Sequence, residues 1–262
     1  MKGVEITMGY KTLIVNEKDL IGKITFNKLP LNILDIEMMK EINHALKYFQ
    51  DRNLKVLVFN ANGKAFSAGV DVSDHTKEKV KEMIQVFHEI FTNINKINAP
   101  TVALVNGAAL GGGCEVATFC DIVIASEKSK FGQPEIKVGV FPPVAAAIFP
   151  KLIWSKKALE LLITGDVIGA NEAKELGLVN HILPVENFEQ ESEKLVAEKL
   201  ASNSAIILQL TKRAFLEGFT KNYSQSIKEI EDIYLNKLMK TNDANEGLSA
   251  FLEKRQPIWK NK

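Results

Sequence analysis

The sequence predicts an α/β fold in which a mainly parallel sheet is followed by a helical C-terminal part. Two observations support this prediction. Segments that are apolar along their whole length, such as residues 56–59, alternate with segments of helical periodicity, such as residues 76–95. Strands that alternate with helices usually form a parallel sheet, and ligands bind beyond the strand ends. After Pro143 helical patterns dominate, so we expect the helical part there.

Composition and charge indicate an ordinary globular protein. Of the 262 residues 46% are hydrophobic and 25% are charged, and the formal net charge is +1. The bulk charge therefore gives no reason to expect a nucleic acid. No apolar run approaches the roughly 18 residues that a membrane-spanning helix needs, and the N-terminus lacks the apolar segment of a signal peptide. We expect a cytoplasmic protein without a membrane partner.

The cysteines give no indication of a metal site. Cys114 and Cys120 fall on different faces of one predicted helix, and no neighbouring Cys or His completes a zinc set. We expect two buried thiols in a reducing compartment, with no bound metal or separate cofactor.

The first third of the chain contains a hairpin, a helix and a buried strand. A polar turn at residues 16–19 separates two β-branched runs, which is typical of a hairpin. Asp35 is a suitable N-cap for the helix that follows, because apolar residues recur there at helical spacing. The last strand runs into a glycine-containing loop at residues 61–71. The strands predicted here are residues 13–15, 21–26 and 56–59.

The middle of the chain repeats this order of helix and strand. An amphipathic helix is predicted at residues 76–95 and ends before Pro100. Buried strands are predicted at residues 101–105 and 122–125, and residues 131–135 are predicted to form a short connection.

The C-terminal part is predicted to be mostly helical, with one strand at residues 179–183. No Pro- or Ser-rich linker divides the chain, so we expect one fold unit. Residues 1–200 would form the core with the ligand site. Residues 201–262 would form a helical region that covers the site and builds a subunit interface. The helices predicted here are residues 144–154, 156–163, 170–176, 188–201, 205–217, 223–238 and 245–254.

One stretch of the sequence has the composition of an active site. Three glycines, residues 111–113, follow a buried strand and precede a helix, so backbone N–H groups are open to close approach. Glu115 and Glu135 lie nearby among apolar residues. N–H donors beside two partly buried carboxylates can polarise a carbonyl group and move protons. The alternative is a glycine-rich helix start in which Glu115 only caps or pairs.

Several segments in order resemble the crotonase (enoyl-CoA hydratase/isomerase) family. The most specific of them reads Asn-Gly-Ala-Ala-Leu-Gly-Gly-Gly-Cys-Glu at residues 106–115. The resemblance covers essentially the whole chain and implies a spiral of ββα turns, a C-terminal helical trimerisation region, trimers that often pair into hexamers, and acyl-CoA thioester substrates. The matching segments are residues 30–32, 38–39, 64–71, 106–115, 120–122, 131–135 and 246–255.

The resemblance also implies which residues bind the substrate. The backbone N–H groups of Val70 and Gly112 match the two oxyanion donors that hold the thioester oxygen. Ala68 matches a position whose backbone meets the adenine. Lys64 and Lys254 match basic positions near the CoA phosphates, with Lys254 reaching the site of a neighbouring subunit. CoA is thus part of the substrate and not a cofactor.

Two carboxylates match the acid and base of the hydratases. In family members the counterpart of Glu115 deprotonates the water that attacks Cβ, and the counterpart of Glu135 protonates Cα. Relatives that only shift a double bond commonly keep just the counterpart of Glu135. The presence of both therefore favours a hydratase over a double-bond isomerase or a non-catalytic CoA- or RNA-binding relative, which are the alternatives.

The chain departs from the usual hydratase pattern after Glu135. Pro143 stands where the hydratases have a glycine whose N–H helps to hold the water, and proline has no N–H. Phe141 and Ile148 add bulk, so we expect a more apolar acyl pocket. Residues 142–147, taken together with residues 69–75, resemble the branch of the family that hydrates cyclic dienoyl-CoA esters in anaerobic aromatic degradation. The alternative is that Pro142 and Pro143 only stiffen the start of a helix.

The remaining polar residues give weaker predictions. His75 either contacts the substrate or lies exposed at a helix start. Asp71 and Asp121 are expected to hold loops through backbone N–H groups. Ser67 lacks the motif and the partners of a serine hydrolase. Three histidines are expected at the surface or at an interface: His44, His88 and His181.

Overall fold

The structure is a computed structural model and describes residues 9–220, 227 and 230–262. The strands, in chain order, are β1 Leu13–Lys18, β2 Ile21–Phe26, β3 Val56–Ala61, β4 Ala65–Ser67, β5 Thr101–Val105, β6 Ala108–Leu110, β7 Ile122–Ser126, β8 Lys130–Gly132, β9 Val167–Gly169 and β10 His181–Leu183. The α-helices are α1 Ile36–Gln50, α2 Val80–Asn95, α3 Gly112–Phe119, α4 Pro143–Leu152, α5 Ser155–Thr164, α6 Ala170–Glu175, α7 Phe188–Val196, α8 Ala205–Thr220 and α9 Asn242–Leu252.

The main sheet has six strands in the order β1-β2-β3-β5-β7-β10. The β1–β2 hairpin is antiparallel, and every other neighbouring pair is parallel. Four successive residues of β3, Val56 to Phe59, are buried because both faces of the sheet are covered. The predicted α/β class and its parallel core are confirmed.

A second sheet of four short strands, in the order β4-β6-β8-β9, lies beside the first. This sheet was not predicted from the sequence: residues 61–71 were predicted as a loop and residues 131–135 as a connection. Each of its strands has three residues, which is too short to produce a recognisable hydrophobic period. This sheet matters for the site, since β4, β6 and β8 each end beside it.

The helix α1 begins at the predicted cap. The Asp35 side chain accepts a hydrogen bond from the N–H of Met38. The apolar face of α1 packs on the sheet and on α2, and the amide side chains of Asn43 and Asn93 pair between the two helices. This hydrogen bond between two buried amides sets the position of α2 relative to α1. The position matters because α2 forms one wall of the cavity described below.

The helical C-terminal part is confirmed for the described residues, with changed boundaries. The helix predicted at residues 188–201 is divided into α7 and a π-helical turn at Ala197–Ala201. The helix predicted at residues 223–238 lies partly outside the described residues, and its end is π-helical at Ile233–Lys237. The helix predicted at residues 76–95 begins only at Val80, after a 3-10 turn at Val72–His75. Within the described ranges, no helix is both long and apolar enough to cross a membrane.

Candidate active site

A mostly apolar cavity of about 650 Å³ lies between α2, the start of α3 and the segment that leads into α4. Its volume is within the range of small-molecule sites. The lining residues that bear on the chemistry are Ala68, Val70, Phe87, Glu115, Glu135 and Phe141.

The second sheet brings two distant loops together at this cavity. Strands β4 and β6 pair in parallel, so the chain leaves both strands at the same edge of the sheet. A Cβ atom on Gly69 would lie 3.1 Å from the carbonyl oxygen of Leu110 and 3.7 Å from the nitrogen of Gly112. Gly69 also has a φ of +106°, which favours glycine. The two loops are therefore in direct contact.

The two predicted oxyanion donors are neighbours in this contact. A Cβ atom on Gly112 would lie 2.7 Å from Cγ2 of Val70. The bridge between Leu34 and Val70 uses the N–H groups of Leu34 and Asp71, which leaves the Val70 N–H out of the pairing. Gly112 is the first residue of α3, where N–H groups have no acceptor in the helix. Two N–H donors thus adjoin one apolar cavity.

Glu115 projects from α3 and is 1% exposed. Its Oε1 accepts a 2.6 Å hydrogen bond from the N–H of Ala145, in the first turn of α4. Burial raises the pKa of Glu115 to about 8, the charge of Glu135 adds to the rise, and the N–H groups of Ala145 and Val144 oppose it. A carboxyl group with this pKa exchanges protons near neutral pH.

Glu135 lies in a 3-10 segment, Pro134–Val138, on the other side of the glycine loop. Its Oε1 lies so close to Gly111 that a Cβ atom on Gly111 would collide with it, and Gly111 has a φ of +50°. Its Oε2 is buried and has no partner among the described residues. Burial raises the pKa of Glu135 to about 7. The cavity therefore contains two carboxyls that titrate close together.

The structure brings some of the other predicted site residues to the cavity and leaves others outside. Ala68, Phe141 and Pro143 line it, and Phe141 is 69% exposed at the mouth. Lys64 and Lys254 are exposed residues outside the lining.

The prediction that the bulk of Ile148 makes the acyl pocket more apolar is wrong. Its side chain packs on the protein core and does not line the cavity, because α4 directs Ile148 away from it.

The minor predictions on polar residues are mostly confirmed. Asp71 accepts a hydrogen bond from the N–H of Ser73, and Asp121 accepts one from the N–H of Thr101. The hydroxyl of Ser67 is buried and donates to the carbonyl of Asn32, so it is not placed as a nucleophile.

Two histidines lie at the cavity, and the sequence analysis missed one of them. His75 lines the cavity, and its Nδ1 is 3.0 Å from the carbonyl oxygen of Asp71. His88 was predicted at the surface or at an interface, but it lines the cavity and its Nε2 is buried. His88 lies one helical turn after Ile84, which also lines the cavity, and this spacing was the sequence feature that could have indicated its position.

Comparisons with known proteins agree with this arrangement. A family model described as enoyl-CoA hydratase/isomerase matches residues 16–262. The probable mitochondrial enoyl-CoA hydratase of Dictyostelium discoideum is 37% identical over 96% of this chain and 91% of its own. The probable enoyl-CoA hydratase of Rhizobium meliloti is 34% identical over 97% and 100%. The crystal structure of enoyl-CoA hydratase from Bacillus anthracis superposes with a TM-score of 0.90 at 31% identity, over 96% of this chain and 100% of that one.

Proposed function

Because the chain belongs to the enoyl-CoA hydratase/isomerase family, we propose that it is a lyase that adds water reversibly to the conjugated double bond of an acyl-CoA thioester. One observation above all supports this proposal. Glu115 and Glu135 both line the cavity beside the Val70 and Gly112 loops, and both have raised pKa values. Hydration needs one carboxyl to accept a proton and another to donate one.

The thioester oxygen is held by the N–H groups of Val70 and Gly112. As water attacks Cβ, the electrons of the double bond move toward this oxygen and an enolate develops. Two fixed N–H donors stabilise that charge, and each is worth roughly 3 kcal/mol in comparable sites. The location of Gly112 at the start of α3 adds the favourable end of the helix dipole.

Glu115 removes a proton from the attacking water while the oxygen bonds to Cβ. Glu135 then gives its proton to Cα, the enolate collapses to the thioester, and one water has been added. The pair again holds one proton in total, now on Glu115, and transfer of this proton to Glu135 restores the starting state. Dehydration runs through the same steps in reverse.

The acyl group we propose is a cyclic conjugated dienoyl, of the cyclohexa-1,5-diene-1-carbonyl type found in anaerobic aromatic degradation. A flat ring fits between apolar walls, and the cavity is lined by Phe87, Val140, Phe141 and Pro143 among others. A general short-chain hydratase is the second candidate, since the relatives named above are called simply enoyl-CoA hydratases.

Kinetics with the purified protein can distinguish the cyclic dienoyl substrate from a short-chain one. The absorbance of cyclohexadienoyl-CoA should fall when the protein is added, and kcat/KM should exceed that for crotonyl-CoA. Much faster turnover of crotonyl-CoA would refute the cyclic substrate and favour the short-chain hydratase. CoA binding without turnover of any acyl-CoA ester would favour a non-catalytic relative.

We further propose that the protein assembles as a homotrimer or a dimer of trimers in the cytoplasm. Large apolar side chains are strongly exposed in the second half of the chain, among them Trp154 at 82%, Phe251 at 82% and Leu252 at 81%. Among the residues that the structure describes, those that line the cavity of the single chain fall between Ala68 and Pro143. A role for residues 201–262 as a cover, and for Lys64 and Lys254 at the CoA phosphates, therefore belongs to the assembled state. Light scattering measures the mass, and a monomer would contradict the proposal.

A further inference from the structure

His88 is a polar residue on an otherwise apolar wall of the cavity. Five residues of α2 line this wall, and the other four, Val80, Met83, Ile84 and Phe87, are apolar. Nε2 of His88 is buried, and within the described part of the chain it has no hydrogen-bond partner. A buried polar atom without a partner is unfavourable, because it has given up its hydrogen bonds to water without replacing them.

The location of His88 along α2 places it toward the acyl end of the cavity. Val80, Ile84 and His88 are spaced four residues apart and so form one row along the helix. Val80 is 36% exposed at the mouth, Ile84 is half-buried, and the His88 Nε2 is covered. The neighbouring Phe87 lies beside the thioester site, because a Cβ atom on Gly112 would lie 3.0 Å from its Cζ. The row therefore runs from the exposed mouth into the covered part of the cavity, which is where an apolar acyl group extends when the charged CoA portion stays in contact with solvent.

The other polar side chains at the cavity take part in the reaction, are hydrogen-bonded to the protein or are exposed to solvent. Glu115 and Glu135 handle the water, His75 is bonded to the backbone of Asp71, and Lys137 is an exposed residue. Burial lowers the pKa of His88 below its ordinary value, so its ring is neutral at neutral pH. A neutral imidazole nitrogen can donate to a carbonyl oxygen or accept from a hydroxyl group, depending on its tautomer.

We propose that Nε2 of His88 hydrogen-bonds an oxygen atom, hydroxyl or carbonyl, on the acyl group beyond Cβ. His88 is then a specificity-determining residue, and the preferred substrates are conjugated acyl-CoA esters whose ring or chain carries such an oxygen. This inference rests on the proposed hydratase function and narrows its substrate class: a dienoyl ring that carries a hydroxyl or keto group is preferred over the unsubstituted cyclohexadienoyl ring. A site with a buried hydrogen-bonding group discriminates strongly against analogues that leave the group unpaired.

Matched pairs of substrates test the inference. The panel consists of straight-chain and cyclic enoyl-CoA esters, each with a counterpart that carries a hydroxyl or a keto group on one carbon beyond Cβ, moved along the chain or ring. For at least one position, kcat/KM should be about 10-fold or more higher for the oxygen-bearing member. The hydroxyl and keto arms distinguish the two forms of the oxygen.

Variants then assign the preference to His88. His88→Leu should bring the ratio of kcat/KM within that pair close to one, and His88→Gln should retain part of it, because the amide can still donate and accept. His44→Leu is the matched control and should keep the wild-type ratio, since His44 lies on α1 and bonds the hydroxyl of Tyr10. A loss of folded enzyme lowers the rate with both members of a substrate pair equally, so the ratio of their kcat/KM values does not change.

Two results would overturn the inference while the proposed function stands. One is an active hydratase with a ratio near one throughout the panel. The other is a preference that survives in His88→Leu. If no enoyl-CoA ester is hydrated by the wild-type protein, the proposed function itself has failed.

Discussion

The backbone N–H of Ala145 donates a 2.6 Å hydrogen bond to Oε1 of Glu115. These residues are brought together by the packing of α4 on α3. Pro143, the first residue of α4, cannot donate a hydrogen bond, but the N–H groups of the same first turn remain available. Burial favours the neutral form of Glu115 and this N–H favours the ionised form. The carboxyl group is thus held in a fixed orientation and close to balance between its two forms.

The Glu115→Gln variant should lose hydration while keeping the fold. The amide oxygen of Gln can still accept from Ala145, but the side chain can no longer take a proton from water. We expect kcat to fall by about 100- to 10,000-fold with a KM close to wild type. Steady-state kinetics on the best enoyl-CoA substrate measures this. Glu175→Gln, at an exposed position on α6, is the control, and a Glu115→Gln enzyme with wild-type turnover would exclude Glu115 as the base.

The Glu135→Gln variant should lose proton transfer at Cα as well as hydration. Glu115→Gln should retain much of the exchange of the Cα proton with solvent, because Glu135 remains. Deuterium exchange at Cα of an acyl-CoA, followed by NMR, separates the two variants. If Glu115→Gln abolished exchange and Glu135→Gln preserved it, the two roles would have to be interchanged. An active double variant would exclude the two-carboxylate mechanism.

The pH dependence of kcat/KM should be bell-shaped. Burial raises the pKa of Glu135 to about 7 and that of Glu115 to about 8, so the pair holds one proton mainly between these values. The active form carries this proton on Glu135, and it exchanges with the form that carries it on Glu115. At lower pH both carboxyls are protonated and no base is present, whereas at higher pH both are ionised and no acid is present. Kinetics across this range, in buffers of constant ionic strength, measures the profile. A rate that rises from about pH 5 to a plateau would show that one carboxyl is enough.

The same two groups should make the wild-type protein less stable as the pH rises. Both pKa values lie above the ordinary value of 4.5, so the folded state binds more protons than the unfolded state between about pH 4.5 and 8. Their contribution to the free energy of unfolding is complete below this window and is lost on raising the pH through it.

Glu115→Gln removes the larger part of this effect. We expect it to be more stable than wild type at about pH 8, on the order of a few kcal/mol, with the difference shrinking toward about pH 5. Urea unfolding at several pH values measures this, with Glu175→Gln as the control that follows wild type. A difference that did not change with pH would mean that Glu115 is not protonated in the folded protein at neutral pH.

Long elements could be predicted from the sequence because their signals are local. The cap at Asp35 and the continuous apolar run of β3 identify their elements without reference to the rest of the chain. The crotonase-type fold, predicted from the order of several motifs, is confirmed by the match over residues 16–262 and by the superposition on solved hydratases.

The features that the sequence analysis missed depend on contacts between distant residues. Strand β8 exists because Lys130 pairs with both Ala108 and Gly169, and none of these positions has a local strand signal. The bond from Ala145 to Glu115 likewise requires α4 to pack on α3. For His88, helical periodicity indicated a buried face, but periodicity cannot distinguish a face against the core from a face against a cavity.

Gly111 should be intolerant of any side chain, because Glu135 occupies the space beside it. Its φ of +50° is unfavourable for alanine, and a Cβ atom there would collide with Oε1 of Glu135. We expect Gly111→Ala to displace this carboxyl, to lower kcat by about 10-fold or more, and to cost about 1 kcal/mol or more in stability. Gly169→Ala is the matched control. A Cβ atom on Gly169 meets nothing within 4 Å and the φ of Gly169 is −81°, so the stability of Gly169→Ala should stay within about 0.5 kcal/mol of wild type.

The pH profile of Gly111→Ala gives a second measurement. Because a displaced carboxyl is less buried, the lower pKa of the kcat/KM profile should also fall in Gly111→Ala, which a purely structural loss would not cause. Wild-type kcat and an unchanged profile in Gly111→Ala would show that the position of Glu135 beside this glycine is not required for the reaction.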